Sequence, residues 1–181
     1  MSVIVVEFTT LDGVVEDPDG SGGTATGGWA FRHGPEAVAG DKFRLGSLLE
    51  TGVLLFGRTT WELFAKLWPG RSGEFPDRLN AAAKLVASRT LHDVSAWQNS
   101  TLLQGDLLDA VEHEGRDVIV IGSVGIAQTL ARHGLVDEYR LLVFPSSAGA
   151  GRRLFDGVAA DLALVSTTRV GAAILSTYRT R

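Results

Sequence analysis

The feature that most constrains the fold is a repeating order of apolar runs, each followed by a turn and a helical pattern. SVIVVEFT (residues 2–9), VLLFG (53–57) and DVIVIG (117–122) are rich in β-branched residues, as buried strands are. The second and third runs lead into TTWELFAKL (59–67) and VGIAQTLARH (124–133), which have helical spacing. Strands that alternate with helices in this way predict a parallel sheet covered by helices.

The remaining segments complete one α/β domain over residues 1–181. The C-terminal LALVSTTRVGAAILSTYRT predicts two antiparallel strands joined near Gly171, so the sheet is expected to be mixed but mostly parallel. A long glycine-rich stretch, residues 11–34, is expected to be a functional loop. The other expected elements are strands at 84–88, 101–104 and 137–144, helices at 36–52 and 105–114, and a polar loop at 69–80.

Composition limits the classes of function. Of 181 residues, 45% are hydrophobic and 21% charged, as in an ordinary globular protein. The net charge of −4, without a dense basic block, argues against nucleic-acid binding and polybasic membrane attachment. The absence of cysteine excludes disulfides and thiolate chemistry. The N-terminus has no signal-peptide pattern and no apolar run spans a membrane, so we expect a soluble, cytoplasmic protein.

Several common motifs fail on inspection. GAGRRL (149–154) has leucine where the third glycine of GxGxxG should be, and GGTATGGW lacks the lysine of a phosphate-binding loop. DPDGSG (17–22) resembles the start of a calcium loop but has Gly28 at the position of the bidentate glutamate. The four histidines lie in separate segments without ligand spacing, so no metal site is expected.

Two strand-to-helix junctions have chemistry that suits a phosphate. At the first, Gly57 is followed by Arg58, Thr59 and Thr60, where helix N–H groups, hydroxyls and a guanidinium can hold a pyrophosphate. The alternative is that Thr59 is only a helix N-cap, with Glu62 completing a capping box.

The second junction, IVIGSVGIAQTL (119–130), combines a bare glycine turn with a serine hydroxyl. Its candidate residues are Gly122, Ser123, Val124, Gly125 and Ile126. The alternative is a tight turn that needs glycine dihedral angles. Because ligands of parallel sheets bind at the carboxyl ends of the strands, two such junctions in one sheet are more informative than either alone.

Two further candidates depend on single residues. Ser88 and Arg89 follow the KLVAS strand and could bind a terminal phosphate such as the 2′-phosphate of NADP, or Arg89 could be a solvated loop residue. Asp41, on the expected helix at 36–52, is a candidate proton donor or a solvent-facing neighbour of Lys42. Trp29 and Trp68 could line a substrate pocket or pack in the core.

In this order the motifs resemble the dihydrofolate reductase fold, and more closely the reductase domain of bacterial riboflavin-pathway deaminase-reductases and its stand-alone relatives. The resemblance covers essentially the whole chain, through TTLDG (9–13), GRTTWE (57–62), KLVASRTL (84–91) and IGSVGIAQTL (121–130). Its most specific block is GLVDEYRLLVFPSSAGAGRRLF (134–155). The resemblance implies a three-layer α/β/α fold with an antiparallel C-terminal hairpin.

The resemblance also implies roles for these residues. The phosphates of NADPH would be held by both junctions, from Arg58 to Thr60 and from Gly122 to Ile126. Its 2′-phosphate would be bound by Ser88 and Arg89. The loop after Asp12 would close over nicotinamide, and Asp41 matches the folate-binding acid by its spacing to GRTTWE. Two departures from folate reductases bear on the substrate rather than the cofactor. They are Gly-Ser at 122–123, where folate reductases usually have Gly-Gly, and the long 11–34 loop.

The expected activity is therefore NADPH-dependent reduction of a pterin-like or aminopyrimidine heterocycle. The alternatives are a riboflavin-pathway reductase of the 5-amino-6-ribosylaminouracil type, which would need basic contacts to a ribose phosphate, and a non-catalytic NADP-binding dimeric protein. A homodimer through the apolar final hairpin and the RLLVF strand is a further expectation of the resemblance.

Overall fold

An eight-stranded mixed sheet runs through the computed structural model, which describes residues 1–181. The order of the strands is β4-β3-β2-β5-β1-β6-β8-β7. All pairs from β4 to β6 are parallel, whereas β8 is antiparallel to both of its neighbours, as the mixed, mostly parallel prediction requires. The strands are β1 Val3–Thr10, β2 Val53–Gly57, β3 Ala83–Ala87, β4 Ser100–Leu102, β5 Val118–Ile121, β6 Glu138–Phe144, β7 Leu162–Val170 and β8 Ala173–Thr180.

Helices cover both faces of the sheet and give it three layers. Alternate residues of β1 face opposite sides, so Ile4 and Val6 join one buried cluster while Val3 and Val5 join the other. The first cluster packs beneath α1, α2 and α3, and the second beneath α4 and α5. The helices are α1 Leu48–Thr51, α2 Arg58–Leu67, α3 Glu74–Ala81, α4 Leu107–Glu112 and α5 Val124–Arg132, with 3-10 turns at Ala30–His33 and Pro35–Ala37. None of these helices is long and apolar enough to cross a membrane.

The predicted secondary structure of two segments is wrong. The expected helix at 36–52 is reduced to a 3-10 turn, irregular chain and the short α1, because positive φ angles at Gly40, Arg44 and Gly46 interrupt it. The expected loop at 69–80 contains α3 instead. Pro76 is tolerated there because it lies in the first turn, where its missing N–H would have no helical partner.

Candidate functional site

The two strand-to-helix junctions contact each other directly. β2 and β5 are neighbours in the sheet, so their carboxyl ends lie side by side. The backbone N–H of Gly57 donates to the Ser123 hydroxyl oxygen at 2.9 Å. The Thr60 hydroxyl donates to the carbonyl oxygen of Gly122 at 3.2 Å. The residues singled out at separate points of the sequence therefore form one continuous edge.

Both helix starts at this edge lack a side-chain cap. The N-cap of α2 is Gly57, so Thr59 lies inside the helix and the Thr59–Glu62 capping-box interpretation is wrong. The N-cap of α5 is Ser123, whose side chain does not cap the helix. The first-turn N–H groups of two helices, with their positive dipole ends, are left for another partner.

The residues of the α5 junction differ in what they can offer to a ligand. Val124 and Ile126 are buried in the core, so only their backbone N–H groups face outward. Gly125 and Gly122 are exposed, and Gly122 has a φ of +61°, which an L side chain adopts only with strain. The junction therefore exposes bare backbone to solvent.

The loop after β3 joins the same surface. The Arg58 guanidinium donates to the Thr90 hydroxyl oxygen at 3.1 Å, linking α2 to this loop. The Ser88 hydroxyl accepts the N–H groups of Thr90 and Leu91 at 3.2 and 3.0 Å, which fixes the turn. Arg89 is exposed beside them. Arg58 and Arg89 thus lie on the two segments that the bond from Arg58 to Thr90 joins.

Two further segments, TTLDG and GAGRRL, lie next to the α5 junction. Asp12, after β1, accepts the Thr10 hydroxyl at 2.6 Å and the N–H groups of Ala148 and Gly149 at 3.0 and 2.7 Å. The bond from the Thr10 hydroxyl above all, together with these N–H groups, holds the pKa of the Asp12 carboxyl group well below its usual range. The TTLDG and GAGRRL segments are therefore tied together over the end of β1.

Asp41 is not on a helix, contrary to the expectation. Its two carboxylate oxygens accept the backbone N–H groups of Leu45 and Gly46 at 2.8 and 2.7 Å. These bonds close the irregular turn that replaces the expected helix. The catalytic role of Asp41 stays a prediction, and its carboxylate has a structural role beside it.

The neighbouring Lys42 was missed, and its side chain packs against an aromatic cluster. Its ammonium nitrogen lies 5.3, 5.9 and 5.5 Å from the ring centroids of Phe8, Phe43 and Phe75. No carboxylate pairs with it. Burial lowers the pKa of the Lys42 ammonium group to about 8, an effect that Asp41 opposes and Arg71 reinforces.

Trp68 and Arg71 extend this cluster. The Arg71 guanidinium lies 5.0 Å from the Trp68 ring centroid, and the buried Trp68 indole N–H has no hydrogen-bond partner. Unpaired buried donors are uncommon in folded proteins and suggest a missing acceptor. Trp29, the other tryptophan considered for the pocket, is a core residue whose indole N–H donates to the Glu16 carbonyl.

The fully buried Lys84 shows what a purely structural lysine looks like. Lys84 donates to the carbonyl oxygens of Asn80, Ala82 and Gln98 at 2.9, 2.7 and 3.2 Å. Both lysines lie over aromatic rings, but all three Lys84 donors are used within the protein, whereas Lys42 lies near a second cation, Arg71. This contrast favours a ligand-binding role for Lys42.

A well-defined cavity lies elsewhere. It has a volume of about 530 Å³ and opens at the amino ends of the strands, between Ser2, Asp117 and Arg179. Its carboxylates are already engaged, since Asp117 accepts the Ser2 N–H at 2.7 Å and Glu138 pairs with Arg140 and Arg179. No group of three or more histidine, aspartate or glutamate side chains could hold a metal ion.

Comparison with protein families decides the assignment of this fold. Residues 1–176 match the model of the RibD C-terminal domain. The chain belongs to that family. Its α/β/α layers and mixed sheet are the dihydrofolate reductase-like fold that the sequence motifs predict.

Individual relatives agree with this RibD C-terminal assignment. Uncharacterized protein YyaP of Bacillus subtilis is 29% identical over 117 residues, a match that spans 60% of this chain and 61% of that protein. A Shewanella sp. PV-4 protein assigned to riboflavin biosynthesis superposes with a TM-score of 0.76 at 21% identity, covering 100% of this chain and 99% of that one. The TM-score of the Shewanella protein shows a shared fold.

Two longer proteins contain the same fold as one part. Acinetobacter baumannii RibD has a TM-score of 0.67 at 13% identity, covering 99% of this chain and 58% of that protein. A Thermotoga maritima deaminase and 5-amino-6-(5-phosphoribosylamino)uracil reductase has a TM-score of 0.60 at 16% identity, covering 99% of this chain and 56% of that one. The chain therefore spans little more than half of each, and its fold is similar to that part of both proteins.

Two residues of this RibD C-terminal chain were not found from the sequence, Glu7 and Arg152. Glu7 is 4% exposed and one of its carboxyl oxygens has no hydrogen-bond partner. Burial raises the pKa of the Glu7 carboxyl group to about 8, and the Arg152 guanidinium opposes this rise. The charged residue inside the apolar run VIVVEF was the available signal for Glu7.

Proposed function

We propose that the protein is an NADPH-dependent reductase of a pterin-like or aminopyrimidine heterocycle. The observation that carries the proposal is the contact between the two junctions, Gly57 N–H to the Ser123 hydroxyl at 2.9 Å, which places two uncapped helix starts side by side. Such starts suit a pyrophosphate, because each supplies N–H donors and a positive dipole end.

The residues at the site fit NADPH. Arg58, Thr59 and Thr60 would bind its phosphates from α2, and the backbone from Gly122 to Ile126 would do so from α5. Ser88 and Arg89 would bind the 2′-phosphate, since Arg89 is exposed and Arg58 reaches the same loop. Bound NADPH would supply a hydride ion to the electrophilic carbon of a C=N or C=O group of the substrate.

The chain's own residues would orient the substrate and handle the proton. The pocket of Phe8, Phe43, Phe75 and Trp68 offers ring faces to a planar heterocycle. The proton that follows the hydride would go to the substrate nitrogen or oxygen, and Asp41, directly or through water, is the predicted donor. Lys42 lies beside it and is a second candidate to contact the same substrate group.

A specific observation favours the riboflavin-pathway reductase as the second candidate function. Such an enzyme needs basic side chains for a ribose phosphate, and Lys42 and Arg71 face the pocket without a carboxylate partner for either. Two cations in a partly apolar site suit a phosphorylated substrate. A screen should therefore pair a pterin with a phosphorylated ribosylaminopyrimidine.

The first experiment is a titration of the purified protein with NADPH and with NADH, followed by tryptophan fluorescence. We expect tight NADPH binding, weaker NADH binding, and loss of that preference in Arg89→Ala, because only NADPH has the 2′-phosphate. Absence of binding for both dinucleotides would refute the reductase and leave a protein that retains the fold only.

The homodimer stays a proposal, with a corrected surface. The RLLVF segment is in β6, between β1 and β8, so its edges are already paired. The hairpin is the exposed part, since Leu164, Val165 and Ile174 are 61%, 49% and 49% exposed. Light scattering of the wild type and of Leu164→Glu tests it, because a charge in an apolar interface should release monomers.

A further inference from the structure

Arg152 occupies an electrostatically unusual position above the start of α5. Its terminal nitrogen Nη2 lies 3.7 Å from the point where a Cβ of Gly125 would be. A cation at a helix N-terminus is unfavourable, because the positive end of the helix dipole is there. Arg152 takes part in none of the six ion pairs of the structure. Neither the helix start nor the guanidinium has an anionic partner.

The backbone holds Arg152 in this position. The Val15 N–H donates to the Arg152 carbonyl oxygen at 2.9 Å, and the Arg152 N–H donates to Glu16 Oε2 at 3.3 Å. The residue before it, Gly151, has a φ of +129°, and a Cβ there would be 2.8 Å from Val14 Cγ1. The backbone at residue 152 is thus fixed, and the exposed Arg152 side chain extends from there to the start of α5.

Glu7 is an independent sign of a ligand on this side of the sheet. In β1 it follows Val6, which pairs with Ile121 at the end of β5, so Glu7 lies level with the turn that starts α5. Alternation along β1 puts its side chain on the α5 face, as for Val5. It is buried, one oxygen is unpartnered, and Arg152 is the charged group that affects it.

We propose that the Arg152 guanidinium binds a phosphate of the dinucleotide over the first turn of α5, with the Glu7 carboxyl group beneath it as a positioning residue. This rests on the proposed cofactor function and adds two side chains to a junction otherwise built from backbone. A phosphate between the guanidinium and the helix N–H groups gives both the anion that each lacks.

Glu7 acts on this site through its charge. In the neutral form it leaves the guanidinium to the phosphate. In the ionised form it competes for Arg152 and repels the phosphate, so affinity decreases as Glu7 ionises. Arg152 is the charged group that acts on it. Glu16 accepts the Arg152 backbone N–H, and Tyr139, whose pKa burial raises to about 12, pairs with Val5 two residues before Glu7, while β5 and the first two turns of α5 contribute no charged side chain.

The test compares Arg152→Ala with Arg153→Ala. Arg153 is a matched control, because its side chain donates to the Asp12 carbonyl oxygen instead of facing α5. We expect Arg152→Ala to weaken NADPH and NADH alike, by about 10- to 100-fold, the range for a charge-assisted hydrogen bond. Arg153→Ala should remain within about twofold of the wild type. Unchanged dinucleotide affinity in Arg152→Ala would overturn the proposal.

Glu7→Gln tests the positioning role between pH 6.5 and 9.5. Wild-type affinity should decrease with rising pH more steeply than that of Glu7→Gln, since glutamine cannot ionise. Parallel pH profiles would overturn the role of Glu7, and a urea titration of the variant checks that it is folded.

Inorganic pyrophosphate separates this proposal from the cofactor proposal. A wild type that binds neither dinucleotide but is stabilised thermally by pyrophosphate, with the effect lost in Arg152→Ala, would refute the reductase and support the anion site. Absence of stabilisation by pyrophosphate in a wild type that binds no dinucleotide would overturn both.

Discussion

The two halves of the candidate site are built from different parts of the chain. The candidate cofactor half, at the carboxyl ends of β2 and β5, consists mainly of backbone: the starts of α2 and α5, glycine turns and a loop tied by Asp12. The candidate substrate half, at the end of β1, consists of side chains from distant segments, with Lys42 among Phe8, Phe43 and Phe75. Backbone suits a ligand part that is constant, and side chains suit one that differs between relatives.

Adjacent residues of β1 serve the two halves. Glu7 points to the α5 face, and Phe8 points to the face where Lys42 lies. Each half contains a buried ionisable group of opposite sign, and burial brings the pKa values of both Glu7 and Lys42 to about 8. At neutral pH Glu7 is then mostly neutral and Lys42 mostly charged, which favours an anion on both sides.

The largest expected effect is on stability in the cofactor half. The pKa of Glu7 rises from 4.5 to about 8 on folding, so its contribution is fully present below pH 4.5 and is lost as pH rises through about 8. A pKa that differs by one between the folded and unfolded chain corresponds to about 1.4 kcal/mol, so the loss amounts to a few kcal/mol. We expect Glu7→Gln to flatten this decrease in urea titrations at about pH 5, 6.5, 8 and 9. Identical pH dependence would show that Glu7 is hydrated.

The next effect concerns the substrate half alone. Lys42→Met keeps most of the unbranched side chain but removes its charge, and we expect kcat/KM to decrease by about 10- to 100-fold. The affinity for NADPH should remain within about twofold. Wild-type activity should also decrease as pH rises through about 8, where the Lys42 ammonium group deprotonates.

Lys66→Met is the matched control for this variant, since Lys66 is exposed on α2. Equal loss of cofactor binding and turnover in Lys42→Met would contradict the division into two halves.

Local chemistry explains what could be predicted from the sequence. Each junction lies within one short segment, so the strand, glycine turn and helix start were predicted within one or two residues. The prediction that the two junctions belong to one site followed from a general rule of parallel sheets, and the contact between Gly57 and Ser123 agrees with it.

The substrate half could not be predicted in this way. Phe8, Lys42 and Phe75 are far apart in the chain, and only the fold brings them together. The choice of Asp41 assumed a helix, whereas the positive φ angles of Arg44 and Gly46 turn the chain instead. A positive φ at arginine has no signal in the sequence. Arg152 was missed for the same reason, because a loop contact places it over α5.

Substitution of Asp41 should have a smaller effect, and it tests the division into a cofactor half and a substrate half. Its two oxygens accept the Leu45 and Gly46 N–H groups, so Asp41→Ala should cost about 1–2 kcal/mol of stability, as the loss of a helix cap does. Asp41→Asn should cost less, because its amide oxygen can still accept one bond. Urea midpoints measure both variants.

Turnover of folded Asp41→Asn then decides its second role. A loss of activity beyond the loss of folded protein supports the predicted proton donor. Activity equal to the wild type would restrict Asp41 to the turn and leave Lys42 as the polar contact of the substrate half.

The smallest expected effect concerns the hydrogen-bonded contact between the two junctions. The Thr60 hydroxyl donates to the Gly122 carbonyl oxygen at 3.2 Å, whereas Thr59 is exposed. Thr60→Val should therefore lower the free energy of unfolding by about 0.5–1.5 kcal/mol, the usual net value of one hydrogen bond. Thr59→Val should change it by less than about 0.5 kcal/mol, as surface substitutions do.

Affinity for NADPH gives the second reading of this pair. Thr59→Val should weaken binding without loss of stability, because its hydroxyl is available to a phosphate and to no group of the protein. If both variants lost stability equally and bound NADPH equally, the junction would be a structural contact in which neither hydroxyl serves the cofactor. If Thr60→Val lowers stability more and Thr59→Val lowers NADPH affinity more, then Thr60 joins the two junctions and Thr59 faces the ligand.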